Sequence, residues 1–258
     1  MKIVILDAYT VNPGDLDWDA FTPLGQLAVY DDTPKEEVLA RIGQAECVLV
    51  NRTPLRRDVI EAAPALRYIG VMATGYNLID IEAARERGIP VCNAPGYSTH
   101  AVAQHTMALL LEICNCVGLA NQNARKSATE TDWGFWGGSM MELAGKTFGC
   151  IGFGNIGRAA GKIAAALGMR VVASGSRPTE EGKAIAEYLP LEELLRCSDV
   201  ISLHAPLLPE TKGIINRETI SQMKEGAILL NTARGGLVEE EALAEALAGG
   251  KLRAAGLD

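Results

Sequence analysis

Short apolar runs rich in β-branched residues alternate with stretches of helical periodicity along the whole chain. This alternation is typical of parallel sheets covered by helices on both faces, and it predicts the α/β fold class. In the first part of the chain, the predicted strands are residues 2–7, 27–30, 48–50, 68–72 and 90–93. The predicted helices are residues 35–45, 57–63 and 81–87. Together these elements suffice for one small open sheet.

Pro95 and Gly96 interrupt this pattern, and a single long helix is predicted from Ser98 to about Ala124. We interpret this helix as the bridge into a second domain. There the predicted strands are residues 147–151, 170–173, 200–204, 228–231 and 254–257, and the predicted helices are residues 156–167 and 242–248. The pattern therefore predicts two doubly wound parallel-sheet domains, residues 1–97 and residues 98–258.

The composition is that of a globular protein, since 258 residues that are 48% hydrophobic and 22% charged can bury two cores. A formal net charge of -8 opposes binding to nucleic acid or to an anionic membrane, because repulsion precedes any contact. The most continuous apolar stretch, residues 107–117, contains Glu112 and Asn115 and is too short to cross a bilayer, so it predicts a buried helix. The apolar opening run, residues 3–6, is far shorter than the core of an export signal. We therefore expect a cytoplasmic protein that acts on small molecules.

The six cysteines lie mostly within apolar runs and form no C-x-x-C pair: Cys47, Cys92, Cys114, Cys116, Cys150 and Cys197. A zinc site is not expected from this spacing. Cys114 and Cys116 would face different directions on a helix, which disfavours both a disulfide and chelation. The pattern predicts buried free thiols in a reducing compartment and no bound metal.

Gly152-Phe153-Gly154-Asn155-Ile156-Gly157 matches G-x-G-x-x-G between a predicted strand and a predicted helix. In this context Gly152 permits a tight turn, Gly154 lets the backbone approach a pyrophosphate, and Gly157 lets the helix pack closely on the strand. The helix N-terminus would then present free N–H groups to the phosphates. The motif predicts dinucleotide binding, and an ordinary strand-to-helix turn is the alternative.

The end of the next strand indicates which dinucleotide is preferred. NAD-selective proteins carry an acidic residue there for the ribose hydroxyls, whereas this chain has Gly175 followed by Ser176 and Arg177. A small residue leaves space, and a hydroxyl and a guanidinium are suited to a 2′-phosphate. NADP(H) is therefore favoured and NAD stays open, since a solvated loop cation is the alternative for Arg177.

Along its whole length the sequence resembles the D-isomer-specific 2-hydroxyacid dehydrogenase family, through four motifs. These motifs are Ala73-Thr74-Gly75-Tyr76-Asn77, Gly152 to Gly157, Leu203-His204-Ala205-Pro206 followed by Thr211, and Asn231-Thr232-Ala233-Arg234-Gly235-Gly236. Within the family, Asn51-Arg52-Thr53-Pro54-Leu55, Pro95-Gly96-Tyr97 and the neighbourhood of Trp136 most resemble glycerate dehydrogenases (hydroxypyruvate reductases). The resemblance implies a flavodoxin-like substrate domain and a Rossmann dinucleotide-binding domain, in an enzyme expected to form a homodimer.

By this resemblance, Arg234 is the catalytic arginine. A guanidinium grips the substrate's carboxylate and keto oxygen with a planar fork, and it stabilises charge that develops on that oxygen. The resemblance also implies that Thr74 and Gly75 bind the carboxylate through their backbone, with Arg52 assisting. The residues implied to contact the cofactor are Gly152, Gly154, Asn155, Ile156, Gly157, Ser176, Arg177, His204, Pro206, Thr211, Thr232, Ala233 and Asp258. Simpler alternatives are a surface ion pair for Arg234, a turn glycine for Gly75 and a rim charge for Arg52.

The family's proton donor is a His paired with a Glu, and both are expected downstream of Gly256-Leu257-Asp258, beyond the residues of this chain. Of the three histidines, His204 falls in the cofactor loop. His100 and His105 lie on the predicted bridging helix, where packed or capped side chains are expected. None of the three is predicted to be the catalyst.

The sequence thus predicts an oxidoreductase that reduces hydroxypyruvate or glyoxylate with NAD(P)H. Phosphoglycerate, D-lactate and formate dehydrogenases stay open, since loops set the size of the substrate. A non-catalytic dinucleotide sensor is the alternative from another class, because the expected proton donor is not among these residues.

Overall fold

A computed structural model describes residues 1–126, 140–175 and 177–258. The chain divides into two compact units, which we call unit 1 (Met1–Ser98) and unit 2 (Thr99–Asp258). Trp136 with its neighbourhood and Ser176, which enter the sequence argument above, lie outside the described residues.

Unit 1 is built on a five-stranded parallel sheet in the order β2-β1-β3-β4-β5. Its strands are β1 (Lys2–Ile5), β2 (Gln26–Val29), β3 (Cys47–Val50), β4 (Tyr68–Val71) and β5 (Val91–Asn93). Its α-helices are α1 (Val38–Ile42), α2 (Arg57–Ala62) and α3 (Ile81–Glu86), and its 3-10 helices are Ala8–Thr10, Asp19–Leu24 and Lys35–Glu37. The strand order is that of flavodoxin-like sheets.

The centre of this sheet explains the unbroken apolar runs in the sequence. All four residues of β3 are buried, because one face packs under the helices and the other under the segment that carries Trp18 and Phe21. A strand covered on both faces needs apolar residues at every position rather than at alternate ones.

Unit 2 is built on a six-stranded parallel sheet in the order β11-β10-β9-β6-β7-β8. Its strands are β6 (Thr147–Ile151), β7 (Arg170–Ser174), β8 (Glu187–Tyr188), β9 (Val200–Leu203), β10 (Ala227–Asn231) and β11 (Leu252–Leu257). Its helices are α4 (Thr99–Asn115), α5 (Val117–Lys126), α6 (Asn155–Ala166), α7 (Glu180–Lys183), α8 (Leu191–Cys197), α9 (Arg217–Gln222), α10 (Glu240–Ala248) and the 3-10 helix Gly235–Leu237.

The strand order of unit 2 reverses between β6 and β9, because the chain first builds outward through β7 and β8 and then crosses to the other side. This is the Rossmann arrangement, in which a dinucleotide binds outside the carboxyl ends of the strands at the point of reversal. The predicted fold class, two parallel-sheet α/β domains, is confirmed.

The predicted single helix from Ser98 to Ala124 is wrong. Cys116 takes a left-handed conformation with φ 50°, and the chain forms two helices, α4 and α5, bent by 51°. The Glu112 carboxylate accepts a hydrogen bond from the Gly118 N–H at 3.0 Å, so the second helix has its own capped start. The stretch predicted as a buried helix buries only one face, since Leu110 is fully buried whereas Val117 is 60% exposed.

Two expectations about cysteines and histidines need correction. Cys47, Cys114 and Cys150 are buried, but Cys116 and Cys197 are only partly buried, and Cys92 is exposed because β5 is an edge strand. His100 and His105 are exposed on the surface of α4 rather than packed.

No group of three or more His, Cys, Asp or Glu side chains suited to a metal occurs in the part of the chain that the structure describes. Among the same residues, no single helix is long and apolar enough to cross a bilayer. The bent pair α4 and α5 meets that test of length and composition only when the two are taken together.

Candidate functional site

The turn after β6 has the tight geometry that the glycine motif predicts. Gly152 has φ +86°, and a Cβ placed on it would lie 2.6 Å from the backbone nitrogen of Ala205 and 2.7 Å from the carbonyl carbon of His204. A Cβ on Gly157 would lie 2.5 Å from the Gly152 carbonyl oxygen. Both contacts are with backbone atoms, so only glycine fits at these two positions.

Gly154 differs from the other two glycines, because a Cβ there would meet nothing within 4 Å. It precedes α6, whose first intrahelical bond runs from the Arg158 N–H to the Gly154 carbonyl at 2.9 Å. The amides of Asn155, Ile156 and Gly157 therefore have no carbonyl within the helix to receive them. Open space beside these amides and the positive end of the helix suits a pyrophosphate, so the residues fit a dinucleotide.

The loop after β9 packs directly against the glycine turn. The His204 N–H donates to the Ile151 carbonyl at 2.8 Å, and its Nε2 lies 2.9 Å from the Ser202 hydroxyl. Burial lowers the pKa of His204 to about 4. The imidazole is therefore neutral near pH 7 and unsuited to donating a proton as an imidazolium, in agreement with its exclusion as the catalyst.

Further along this loop, Thr211 makes hydrogen bonds to the loop's own backbone. Its hydroxyl donates to the Pro206 carbonyl at 2.6 Å and accepts from the Leu208 N–H at 2.8 Å. Its hydroxyl proton is thus directed toward the loop itself. The predicted contacts of Pro206 and Thr211 with the cofactor stay predictions.

At the end of β7, Gly175 follows the strand and lies against the glycine turn. A Cβ on Gly175 would be 3.7 Å from the Phe153 nitrogen, an ordinary van der Waals distance, so the position has room for a side chain. Arg177 is exposed two residues further on. The other half of the predicted phosphate contact, Ser176, lies outside the described residues.

The loop after β10 carries the predicted catalytic arginine and is organised by a buried amide. Asn231 is 4% exposed; its Oδ1 accepts from the Ala233 N–H at 3.1 Å and its Nδ2 donates to the Arg234 carbonyl at 2.9 Å. Arg234 is partly buried, and its Nη1 donates to the Ala233 carbonyl at 2.7 Å. The Asp258 N–H donates to the Asn231 carbonyl at 3.0 Å, which joins the ends of β10 and β11.

Helix α4 supports the same loop from behind. The hydroxyl of Thr106, which is fully buried, lies 2.8 Å from the Thr232 hydroxyl and 2.8 Å from the Val102 carbonyl. A hydroxyl has one proton to donate. If Thr106 gives its proton to the carbonyl, Thr232 must donate to Thr106, which fixes the orientation of Thr232.

In unit 1, the three predicted substrate residues follow neighbouring strands. Arg52 follows β3, and Thr74 and Gly75 follow β4; because the strands are parallel, both loops lie at the same edge of the sheet. The Thr74 hydroxyl donates to the Ala94 carbonyl at 3.2 Å, and the Asn93 amide donates to the Thr74 carbonyl at 2.7 Å. Arg52 and Thr74 are exposed.

Sequence reasoning missed three side chains that shape these loops: Asp7, Asn231 and Thr106. Asp7 is 1% exposed and accepts hydrogen bonds from three backbone amides of the Arg52 loop. A polar residue at the end of a buried apolar run is the signal that points to Asp7 and Asn231, whereas Thr106 lies inside an apolar helix and carries no such signal.

Within unit 2, the predicted residues of the described chain follow five strands of one parallel sheet, so they share its carboxyl edge. Residues 107–258 match the model of a family described as D-isomer specific 2-hydroxyacid dehydrogenase, NAD binding domain.

Several known proteins are similar to the chain over its full length. The hydroxypyruvate reductase of Blautia hydrogenotrophica is 51% identical over 265 residues, covering 100% of this chain and 82% of that protein. Among solved structures, an acyclic imino acid reductase (Bsp5) in complex with NADPH and D-Arg superposes with a TM-score of 0.88 at 32% identity, covering 100% of this chain and 82% of that one. A glyoxylate reductase from Paecilomyes thermophila superposes with a TM-score of 0.89 at 28% identity, covering 100% and 81%.

Proposed function

Since the chain belongs to the D-isomer specific 2-hydroxyacid dehydrogenase family, we propose that it reduces hydroxypyruvate or glyoxylate to the D-2-hydroxy acid with NADPH. The reaction adds a hydride to the keto carbon and a proton to its oxygen. The observation that carries the proposal is the loop after β10, where Asn231 holds the backbone around Arg234 at the carboxyl edge of the sheet. Sites in open α/β sheets form at that edge.

Arg234 is proposed to bind the substrate's carboxylate and keto oxygen. Its guanidinium presents two parallel donors, so it orients the carbonyl and stabilises negative charge on the oxygen. The Thr74 and Gly75 amides are proposed to receive the carboxylate, with Arg52 as a further cation. The hydrogen bond from the Asn93 side chain to the Thr74 carbonyl supports this role, because it fixes the loop that carries those amides.

The cofactor is a nicotinamide dinucleotide, and a reduced nicotinamide supplies the hydride when bound. Gly152, Gly154, Gly157 and the α6 amides would hold the pyrophosphate. We propose NADPH over NADH because Gly175 has no carboxylate to repel a 2′-phosphate and Arg177 is exposed beside it. The similar imino acid reductase is an NADPH complex, which supports this preference.

The proposal is tested by measuring kcat/KM for hydroxypyruvate, glyoxylate, pyruvate and the phosphorylated analogue of hydroxypyruvate, each with NADPH and with NADH. We expect the highest values for hydroxypyruvate or glyoxylate with NADPH. Preference for the phosphorylated analogue or for pyruvate would instead indicate a phosphoglycerate or D-lactate dehydrogenase. NADPH binding without reduction of any of these acids would favour a dinucleotide sensor.

A further inference from the structure

The loop that follows β3 is built around the side chain of Asp7, which lies two residues after β1. Oδ1 accepts a hydrogen bond from the Asn51 N–H at 2.8 Å. Oδ2 accepts from the Arg52 N–H at 2.5 Å and from the Thr53 N–H at 2.6 Å. Three consecutive backbone amides therefore converge on one carboxylate that is 1% exposed.

Successive amides that point to one centre form a concave anion site in proteins. Here the anion belongs to the chain itself and comes from a residue 44 to 46 positions earlier in the sequence. Burial of a carboxylate is costly unless its oxygens are hydrogen-bonded, and these three amides meet that requirement. The loop and the carboxylate therefore fix each other's conformation.

A second contact fastens the same loop at its edge. The side-chain amide of Asn51 donates to the Thr10 hydroxyl at 2.8 Å, and that hydroxyl donates to the Asp7 backbone carbonyl at 2.7 Å. The backbone around Arg52 is thus held by the Asp7 carboxylate and by the contact between Asn51 and Thr10, while Arg52 itself is exposed. The direction in which the Arg52 side chain leaves the loop is determined by its backbone.

We propose that Asp7 is a positioning residue that orients Arg52 toward the substrate carboxylate. The role rests on the proposed function, and it makes Asp7 part of the substrate specificity of unit 1 without any contact between Asp7 and the substrate. Asparagine cannot replace Asp7, because it has only one acceptor oxygen. Its NH2 group would then face a backbone N–H of the loop, and two donors cannot form a hydrogen bond.

The test is a double-mutant cycle with Asp7→Asn and Arg52→Ala in the whole protein. If Asp7 acts through Arg52, Asp7→Asn should raise KM for hydroxypyruvate about tenfold, with kcat almost unchanged, because it removes ground-state binding. In the Arg52→Ala background the same substitution should leave KM unchanged. The Kd for NADPH should be the same in all four proteins, which shows that unit 2 remains folded.

Asp80→Asn is the matched control, since Asp80 also accepts a backbone N–H, from Ala83 at 2.9 Å, but at the start of α3. It should not alter KM. Thr10→Val is a milder variant for the case in which Asp7→Asn unfolds unit 1; it should raise KM less, and again only when Arg52 is present.

An equal rise in KM in both backgrounds would show that Asp7 has a general structural role and would overturn the proposal, as would an unchanged KM in Asp7→Asn or in Arg52→Ala. Failure of the proposed function is separate from these outcomes. It would be seen in the unmodified protein, as an absence of keto acid reduction, and would remove the positioning role with it.

Discussion

The glycine turn after β6 and the Arg52 loop after β3 each lie at the carboxyl edge of a parallel sheet, but they are shaped in opposite ways. In the turn, Gly152 and Gly157 leave out side chains that would collide with backbone atoms. In the loop, a buried side chain, Asp7, gathers the amides of residues 51–53. The turn therefore leaves its amides available to a ligand, whereas the loop uses its amides internally and presents a side chain.

The loop after β10 contains both a side chain that organises the backbone and a group that faces the substrate in the proposed function. The largest expected loss of activity follows from this loop. Asn231 organises its backbone as Asp7 does in unit 1, while Arg234 is the group proposed to act on the substrate. We expect Arg234→Lys to lower kcat/KM for hydroxypyruvate by about 10²- to 10³-fold, because an ammonium cannot reproduce two parallel donors. The Kd for NADPH, measured by fluorescence, should not change.

Arg170→Lys is the matched control for this prediction. Arg170, on β7, is an exposed arginine that forms an ion pair with Glu187. It should retain normal rates. Near-normal turnover in Arg234→Lys would assign the arginine to structure rather than chemistry, and would leave Arg52 as the stronger candidate for the substrate carboxylate.

The second prediction separates the two functions of glycine inside the turn. Gly152→Ala should lower the free energy of unfolding by about 2–4 kcal/mol, since its Cβ meets backbone at 2.6–2.8 Å and its φ is +86°. Gly154→Ala should leave stability almost unchanged, because the Cβ meets nothing within 4 Å. It should nevertheless raise the Kd for NADPH about tenfold or more, by placing a methyl group where the pyrophosphate approaches.

Urea unfolding of both variants and NADPH titration of the Gly154 variant check this prediction. The distinction between steric and ligand-facing glycines is lost if Gly154→Ala binds NADPH normally. It is also lost if Gly152→Ala is as stable as the unmodified protein.

The third prediction concerns Gly175. Its role in the proposed cofactor preference is the absence of a carboxylate, and not the relief of a steric clash. A Cβ there has 3.7 Å of clearance, so Gly175→Asp should fold normally. We expect it to lower the NADPH to NADH ratio of kcat/KM about tenfold, since the carboxylate repels the 2′-phosphate and can accept bonds from ribose hydroxyls.

The neutral variant Gly175→Asn is the control for this effect, with nearly the same shape and no charge. It should move the ratio much less than Gly175→Asp. If both substitutions change the ratio equally, or neither does, the preference for NADPH comes from elsewhere in the loop.

These contrasts also explain what could be predicted from the sequence. The glycine turn is a local pattern: the strand, the glycine spacing and the helix are contiguous, so residues 152–157 were identified without a structure. The partners of Asp7 lie 44 to 46 residues away, and nothing near Asp7 announces them. The same holds for Thr106 and Thr232, which are 126 residues apart.

Errors in the predicted elements have similar causes. The break between α4 and α5 depends on one left-handed cysteine and on a Glu112 side chain that caps the next helix, neither of which interrupts the apolar pattern. Helix α9 was not predicted because its capping box pairs Asn216 with Thr219 instead of the Glu or Gln that usually marks such a start. Strand β8, with two residues, is too short for any periodicity.

The smallest expected effect concerns a partly buried side chain beside the glycine turn, the imidazole of His204. His204 has a pKa of about 4 in the folded protein, against 6.5 as its ordinary value, because burial penalises the charged form. As pH falls from 6.5 toward 4, the unfolded chain binds a proton at His204 and the folded chain does not. Stability must therefore fall across that window, by on the order of 1–2 kcal/mol from this residue.

His204→Gln should remove this contribution, so the variant should lose less stability than the unmodified protein between pH 7 and pH 4.5, as measured by urea midpoints at each pH. His105→Gln is the matched control, because His105 is exposed on α4 and should behave like the unmodified protein. If all three proteins lost the same free energy of unfolding between pH 7 and pH 4.5, the His204 imidazole would be protonated in the folded protein without cost. The loop after β9 would then accommodate the charged form.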